Sequence, residues 1–476
     1  MKVPSLSWSQ AARPAGLVAM LRQVHRPAKR QAYPRIRSSE GRAAATASRL
    51  VGGPDGDLRL LPDLDRLVGL AAQPGWARAP ADRATQDDEA YPACQRGFAA
   101  RMVEAARAPG LTFRMAFEVE WFVGPDRAGG GEPDARPPDD DTVPACRGPA
   151  YGMTRPVELS DYAAHILSAL GHQDVAVEQF HPEYAPGQFE VSVAAADPVS
   201  AADDAVLVRQ TIQAVSRRHG LRASFAPVVL AGQVGNGGHL HLSAWDGPRN
   251  LFAGGSGPYG LTGRGESMLA GLLDALPALS AVGSPSVASY LRLLPSRWAG
   301  AYACWGRENR EAALRFITGT IGSESSEANA ELKSFDLSAN PYLVVGAVIA
   351  VGLAGVDARR QLPPEVTGAP ARKPAAELDS LGVRRLPQSL PEAISHLARA
   401  PMSCAQTWGM PSSNPSSRCG VPRSVCSPIA LLKRSPPRRA GGSGLEASGA
   451  EVYVHLLIFN LIAHSDSDQA AVPSRQ

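Results

Sequence analysis

The amino-acid sequence predicts an α+β fold, and three observations carry that prediction. Four short segments alternate apolar and polar residues with the period of a strand, and each collects acids or histidines on its polar face. Longer apolar-rich segments open on Asp-Pro or Asn-Pro and close near Gly, which is the punctuation of helices. Both kinds of segment fall between about residues 51 and 400, flanked by a basic leader and a Ser/Pro/Arg-rich tail.

Taken in order, residues 1–50 are Arg-rich, with Glu40 as their only acid, and lack the apolar core of a secretion signal. A poorly ordered leader is expected there. From Val51 a turn and a short strand follow, within a small domain over 51–92. A helix is expected from Cys94 to Arg107, ended by Gly110, then a strand from Leu111. Pro125 to Pro149 is rich in Gly, Asp and Pro and reads as a loop. Ser160 is expected to cap a helix that stops at Gly171. Asp197-Pro198 opens a longer helix closed by Gly220, and Asn340-Pro341 opens an apolar one that ends near Gly355. These elements make up a catalytic domain over 93–400. Residues 401–476 lack the apolar content of a packed core and read as a low-order tail.

The bulk properties exclude several classes. A net charge of +3 over 476 residues predicts neither nucleic acid nor a membrane surface as partner. Six cysteines without paired spacing make no disulfide framework or zinc site, so a cytoplasmic location is the expectation. The best apolar run, Tyr342 to Val356, falls short of the ~20 residues that cross a bilayer.

The chemistry lies on the strands. In Thr112–Val123 the residues Phe113, Met115, Phe117, Val119, Trp121 and Val123 share one face, and Glu118 and Glu120 share the other. In Gln188–Val193, Glu190 and Ser192 oppose Phe189, Val191 and Val193. In Gly238–Ser243, His239, His241 and Ser243 oppose Leu240 and Leu242, and in Asn329–Lys333, Glu331 and Lys333 share a face. One Glu-x-Glu pair is normally a solvated strand face. Four such strands are harder to dismiss, because converging carboxylates repel one another unless cations are present. Hard oxygen donors with few thiolates favour Mg²⁺ or Mn²⁺ over zinc.

A cationic block follows: Arg292, then Asn309-Arg310 and Arg315 in a run of small and apolar residues. Arginine suits planar carboxylates and phosphoryl oxygens. Carboxylates, cations and arginines together suggest phosphoryl transfer, and the chain has no Gly-x-x-x-x-Gly-Lys-Ser/Thr loop.

In this order the motifs resemble glutamine synthetase. The resemblance rests on Phe117-Glu-Val-Glu120, Glu183-Tyr-Ala-Pro-Gly-Gln-Phe-Glu190, Gly235-Asn-Gly-Gly-His-Leu-His241, Ser289-Tyr-Leu-Arg-Leu through Arg315, and Glu331-x-Lys333-x-x-Asp336 with Ala339-Asn-Pro-Tyr-Leu343. It spans roughly 51–395 and implies a curved antiparallel sheet flanked by helices, with a partial β-grasp-like remnant over 51–92. It implies one metal at Glu120, Glu183 and Glu190 and another at Glu118, His239 and Glu331. Arg292 and Gly235 would hold glutamate, with Lys333 and Trp298 also at the substrate. Arg310 and Arg315 would face the transferring phosphate and ATP, with His241 and Ser243 near the nucleotide. ATP would phosphorylate the γ-carboxylate of glutamate, and an amine would then displace phosphate. A homo-oligomeric ring is implied as well.

The departures from the family pattern fall on the ammonium side. Trp298 stands where the family has a flap glutamate, Lys333 replaces an arginine, and Val234 replaces an asparagine. The N-terminal aspartate that serves ammonium in the family has no counterpart that can be located. The expectation is therefore a γ-glutamyl–amine ligase. Glutamine synthetase proper and an inactive scaffold are the alternatives.

Overall fold

A computed structural model describes residues 57–126 and 143–400. The expected leader over 1–50 and the tail over 401–476 lie outside the described residues.

The N-terminal segment carries two small antiparallel ladders, β1 (Arg59–Pro62) with β4 (Ala81–Ala84), and β2 (Val68–Gly69) with β3 (Ala77–Arg78). It is tied to the rest by charge. Asp203, 1% exposed, accepts two bonds from the Arg96 guanidinium at 3.1 Å each and one from the Tyr342 hydroxyl at 2.7 Å. Arg96 also reaches Asp63 and Asp82, and Arg66 reaches Asp204 at 2.6 Å. A buried carboxylate is tolerable only with such complete pairing.

Helix α1 (Gln95–Arg107) begins at Cys94 as expected. The long strand β5 (Leu111–Pro125) follows and buries alternate residues from Leu111 to Phe117. Helix α2 (Ser160–Gly171) departs from expectation: Ser160 is its first helical residue, not its cap. A short turn of helix, Thr154–Glu158, runs almost directly into it, so the capping position falls on Leu159. Strands β6 (Val177–Pro182) and β7 (Gln188–Val193) form a hairpin. Helix α3 (Pro198–Arg218) starts at Asp197, whose carboxylate accepts the N–H groups of Val199 and Ser200.

The remaining strands are β8 (Leu221–Ser224), β9 (Leu240–Asp246), β10 (Arg249–Asn250), β11 (Tyr302–Arg307), β12 (Ala312–Ile317), β13 (Asn329–Leu332) and β14 (Arg384–Arg385). With β5, β6 and β7 they make one ten-stranded sheet whose main path runs β14-β11-β12-β13-β9-β5-β7-β6. Its pairs are antiparallel except β11 with β12, which are parallel. Helices α4 (Gly263–Gly283) and α5 (Pro341–Asp357) pack together, and α5 also packs on α1 and α3. Gly271 and Gly355 allow α4 and α5 to approach closely, since a Cβ on Gly271 would lie 2.7 Å from the Gly355 Cα. The apolar face of β5 and these helices enclose the main core, leaving the polar sheet face free to line a cavity.

Candidate active site

Strand register assembles the site. Across β6, β7 and β5, His181 lies opposite Glu190, and Glu190 lies opposite Glu120. Across β12, β13, β9 and β5, Arg315 lies opposite Glu331, Glu331 opposite His241, and His241 opposite Ala116. Glu118 falls between the two rows on β5. Directly opposed residues place their side chains side by side. Glu331 is buried, 1% exposed, and the other members of the two rows line one cavity of about 1330 Å³, together with Glu183, His239, Arg292, Trp298, Arg310 and Lys333.

Among the described residues, two groups bring possible metal donors within 4.8 Å of one another: Glu118, His241 and Glu331, and His181, Glu183 and Glu190. His239 adjoins the first group. Its Nδ1 lies 2.7 Å from Glu118 and 3.3 Å from Glu331. Glu120 sits between the groups, 3.6 Å from His239 Nε2, and accepts the Gln188 amide at 3.0 Å. Carboxylates and imidazoles in this number suit hard or borderline divalent cations, so the residues present fit the expected metal chemistry.

Crowding shifts the charges of these buried groups. Burial, then the neighbouring Glu118, pushes the Glu190 carboxyl up to about 8. Its hydrogen bond to His181 lifts that imidazole to about 9. Burial opposes the charge on His241, but Glu118 holds it at about 9. Burial likewise opposes the charge on Glu331, yet Lys333 holds it at about 2. Glu120 is raised chiefly by burial. Without metal ions the acids share their charge with histidines and Lys333.

The structure brings all the expected metal residues, Glu118, Glu120, Glu183, Glu190, His239 and Glu331, to this cavity. His241, expected near the nucleotide, sits directly against Glu118 at 2.9 Å. Ser243 lines the same wall and accepts the Trp245 indole N–H. Lys333 lines the cavity but donates to Glu331 at 2.8 Å. Arg315 also donates to Glu331, at 3.0 Å, and to Glu308. Arg310 is exposed at the cavity. Arg292 is buried beneath His239. Gly235 lies against Arg292: a Cβ there would come within 2.0 Å of the Pro227 carbonyl oxygen and 3.1 Å of the Arg292 side chain. A Cβ on Gly237 would overlap His239 and Glu120, so the Gly-rich segment is what lets the backbone pass under the site.

Several neighbours were not singled out from the sequence. His181 is two residues before Glu183, and that spacing was a usable signal once the segment is read as a strand. A register shift near Val177 turns both Glu178 and Gln179 toward the cavity, which no alternation pattern predicts. Tyr151, two residues past Pro149, donates to Glu183 at 3.2 Å. Tyr184 meets the Trp298 indole edge-on, ring centroids 4.9 Å apart.

Three comparisons bear on this geometry. The family model for the glutamine synthetase catalytic domain matches residues 92–409. A γ-glutamylpolyamine synthetase of Streptomyces coelicolor is 59% identical over 347 residues, 73% of this chain and 72% of that protein. A glutamine synthetase of Mycobacterium tuberculosis is 31% identical over 363 residues, covering 75% of this chain and 77% of its own. Among solved structures, a complex of GmaS with ADP superposes with a TM-score of 0.64 at 28% identity, over 76% of this chain and 80% of that one.

Proposed function

The chain belongs to the glutamine synthetase family and is an ATP-dependent ligase of glutamate with an amine, and on that premise we propose that its amine is an organic di- or polyamine, in preference to ammonia. One observation carries the preference: Trp298 stands at the flap, 41% exposed, its indole packed edge-on against Tyr184. An indole cannot take a proton from ammonium. It can stack on a cation or cover an alkyl chain. The name of the Streptomyces coelicolor relative supports the same substrate class.

In this reading Arg292 and the Gly235 backbone hold glutamate, with Lys333 and Trp298 at its edge. Arg310 and Arg315 face the phosphoryl group, and His241 and Ser243 border the nucleotide. Glu118, His239 and Glu331 would hold one divalent cation, and Glu120, Glu183 and Glu190 another, Mg²⁺ or Mn²⁺, and the pair would supply neutralisation of phosphoryl charge. An oxygen of the γ-carboxylate attacks the γ-phosphorus of ATP and ADP leaves. The amine nitrogen then attacks the acyl carbon, inorganic phosphate leaves, and a γ-glutamyl amide forms. Glu183 borders the aromatic wall through Tyr151 and Tyr184 and is our assigned acceptor for the amine proton. A homo-oligomeric ring is part of the reading. No helix among the described residues is long and apolar enough to cross a membrane.

The test is ADP release with glutamate and Mg²⁺, comparing kcat/KM for ammonium, ethanolamine, 1,4-diaminobutane and spermidine. A di- or polyamine should win. An advantage for ammonium would make the chain a glutamine synthetase proper.

A further inference from the structure

Trp298 is held in place from behind. The Glu311 carboxylate, 7% exposed, accepts the Ser296 backbone N–H at 3.2 Å on one oxygen and the Trp298 backbone N–H at 3.0 Å on the other. Both clamped residues have left-handed backbones, with φ of 59° at Ser296 and 54° at Trp298. Neither is glycine, so each conformation carries strain that something must offset. Glu311 is itself oriented: its N–H donates to Asn309 Oδ1 at 3.0 Å, and the Asn309 amide donates to the carbonyls of Val366 and Gly368. Downstream, Gly300 presses on the backbone at Ala313, where a Cβ would meet the Ala313 Cα at 2.8 Å. The flap is thus fixed to the start of β12 at both ends. Arg310 points from the same corner into the cavity, while Glu311 turns behind the flap.

We infer that Glu311 is a positioning residue for amine selection: by bridging Ser296 and Trp298 it holds the indole of Trp298 against Tyr184 as a preformed wall for the carbon chain of the amine. The inference rests on the organic-amine reading above. Glu311 touches neither glutamate nor ATP in this arrangement, so its influence is confined to the last substrate. A carboxylate serves this place because it offers an acceptor to each N–H. An amide of the same shape turns one acceptor into a donor facing a donor. A preformed wall improves binding by removing the ordering cost from the substrate's encounter.

The experiment uses the full chain and its Glu311→Gln and Glu311→Asp variants, with 1,4-diaminobutane as probe. Gln keeps the length and loses one acceptor, and Asp keeps the charge and loses the reach. Loss of one charge-assisted bond predicts a diamine KM raised roughly tenfold in each variant. The KM values for glutamate and ATP, and kcat at saturating diamine, should stay within about twofold. Acrylamide quenching of Trp298, read as the difference from a matched Trp298→Phe protein, should increase in both variants. If Glu311→Gln does not fold, Glu311→Asp carries the same test. An unchanged diamine KM, or glutamate and ATP KM values rising in step with it, overturns the inference. Wild-type preference for ammonium over the diamine would instead sink the functional reading, and that measurement needs no variant.

Discussion

Arg292 donates from Nη2 to Nε2 of His239 at 2.9 Å, and both side chains are buried. Arginine has no acceptor, so Nε2 must carry the lone pair and Nδ1 the proton, which goes to Glu118. A cation shared by Glu118 and Glu331 requires the opposite tautomer, with Nδ1 bare and Nε2 protonated. Arg292 cannot then keep its bond to His239. Histidine-selective ¹⁵N NMR should show a His239 Nδ1–H in metal-free protein and an Nε2–H after a diamagnetic dication is added. Retention of the same tautomer would remove His239 from the metal set.

His181 extends the expected donor set. It faces Glu190 at 3.3 Å and Glu183 at 3.6 Å, and the three form one compact group. Replacing it by Gln should weaken one of two Mn²⁺ equivalents about tenfold, within the range known for residues supporting a metal. Pulsed EPR of the Mn²⁺-loaded protein should lose one ¹⁴N coupling. Two unaltered Mn²⁺ affinities would leave His181 as a spectator.

The pH response of the metal-free protein has one sign above neutrality. Glu190, raised to about 8 by burial and Glu118, lets the folded state keep a proton that the unfolded chain releases near its ordinary 4.5. Stability therefore declines as pH climbs toward 8. His181 and His241, each raised to about 9, contribute stability that is complete below the ordinary 6.5 and is lost as pH rises through 9. Glu331, held at about 2, contributes stability above 4.5 that disappears only at acid pH. Melting temperature in EDTA should fall steadily from pH 6.5 to 9, and Mg²⁺ at pH 8.5 should recover most of it. A flat EDTA profile would contradict the charge arrangement.

Trp298→Glu puts a proton acceptor and a negative charge back at the flap. The variant should shift the kcat/KM ratio toward ammonium by about tenfold or more, in line with one general base. No shift would mean that the indole only packs.

Much of this site was legible because strand alternation is a strong local signal. Glu118 and Glu120, then His239 and His241, declare their shared faces within a few residues. What alternation cannot give is register between strands. That His181 opposes Glu190, and Glu331 opposes His241, depends on pairing across long stretches of chain. The Ser160 cap failed for a related reason: the helical turn at Thr154–Glu158 lacks any apolar period of its own and forms only against its neighbours. Glu311 carries no sequence signal, since a carboxylate followed by two alanines reads as a surface position until the flap folds over it.

Asp203→Asn should be costly. The carboxylate takes hydrogen bonds from Arg96 and Tyr342 and an ion pair from Arg66. Leaving Arg96 without its buried counter-charge predicts a loss of about 3 kcal/mol in unfolding free energy. Protease cleavage should appear first within 57–92, because that segment is anchored through these arginines. Uniform digestion with unchanged stability would refute the anchor.

The two rows of opposed side chains also govern when the protein can mature. Their members arrive from strands spread between Glu118 and Glu331, so no nascent fragment ending before β13 contains a complete centre. Such non-local pairing forms late and slowly. Until it does, the acids are far apart; once it does, they crowd together and form the proposed two-cation centre. Under the proposed two-cation centre, divalent ions would act as a ratchet on the finished sheet: they would select the fully paired state by mass action and leave partial states unrewarded. On that reading the supply of divalent cations bears on the yield of native chain as well as on its turnover.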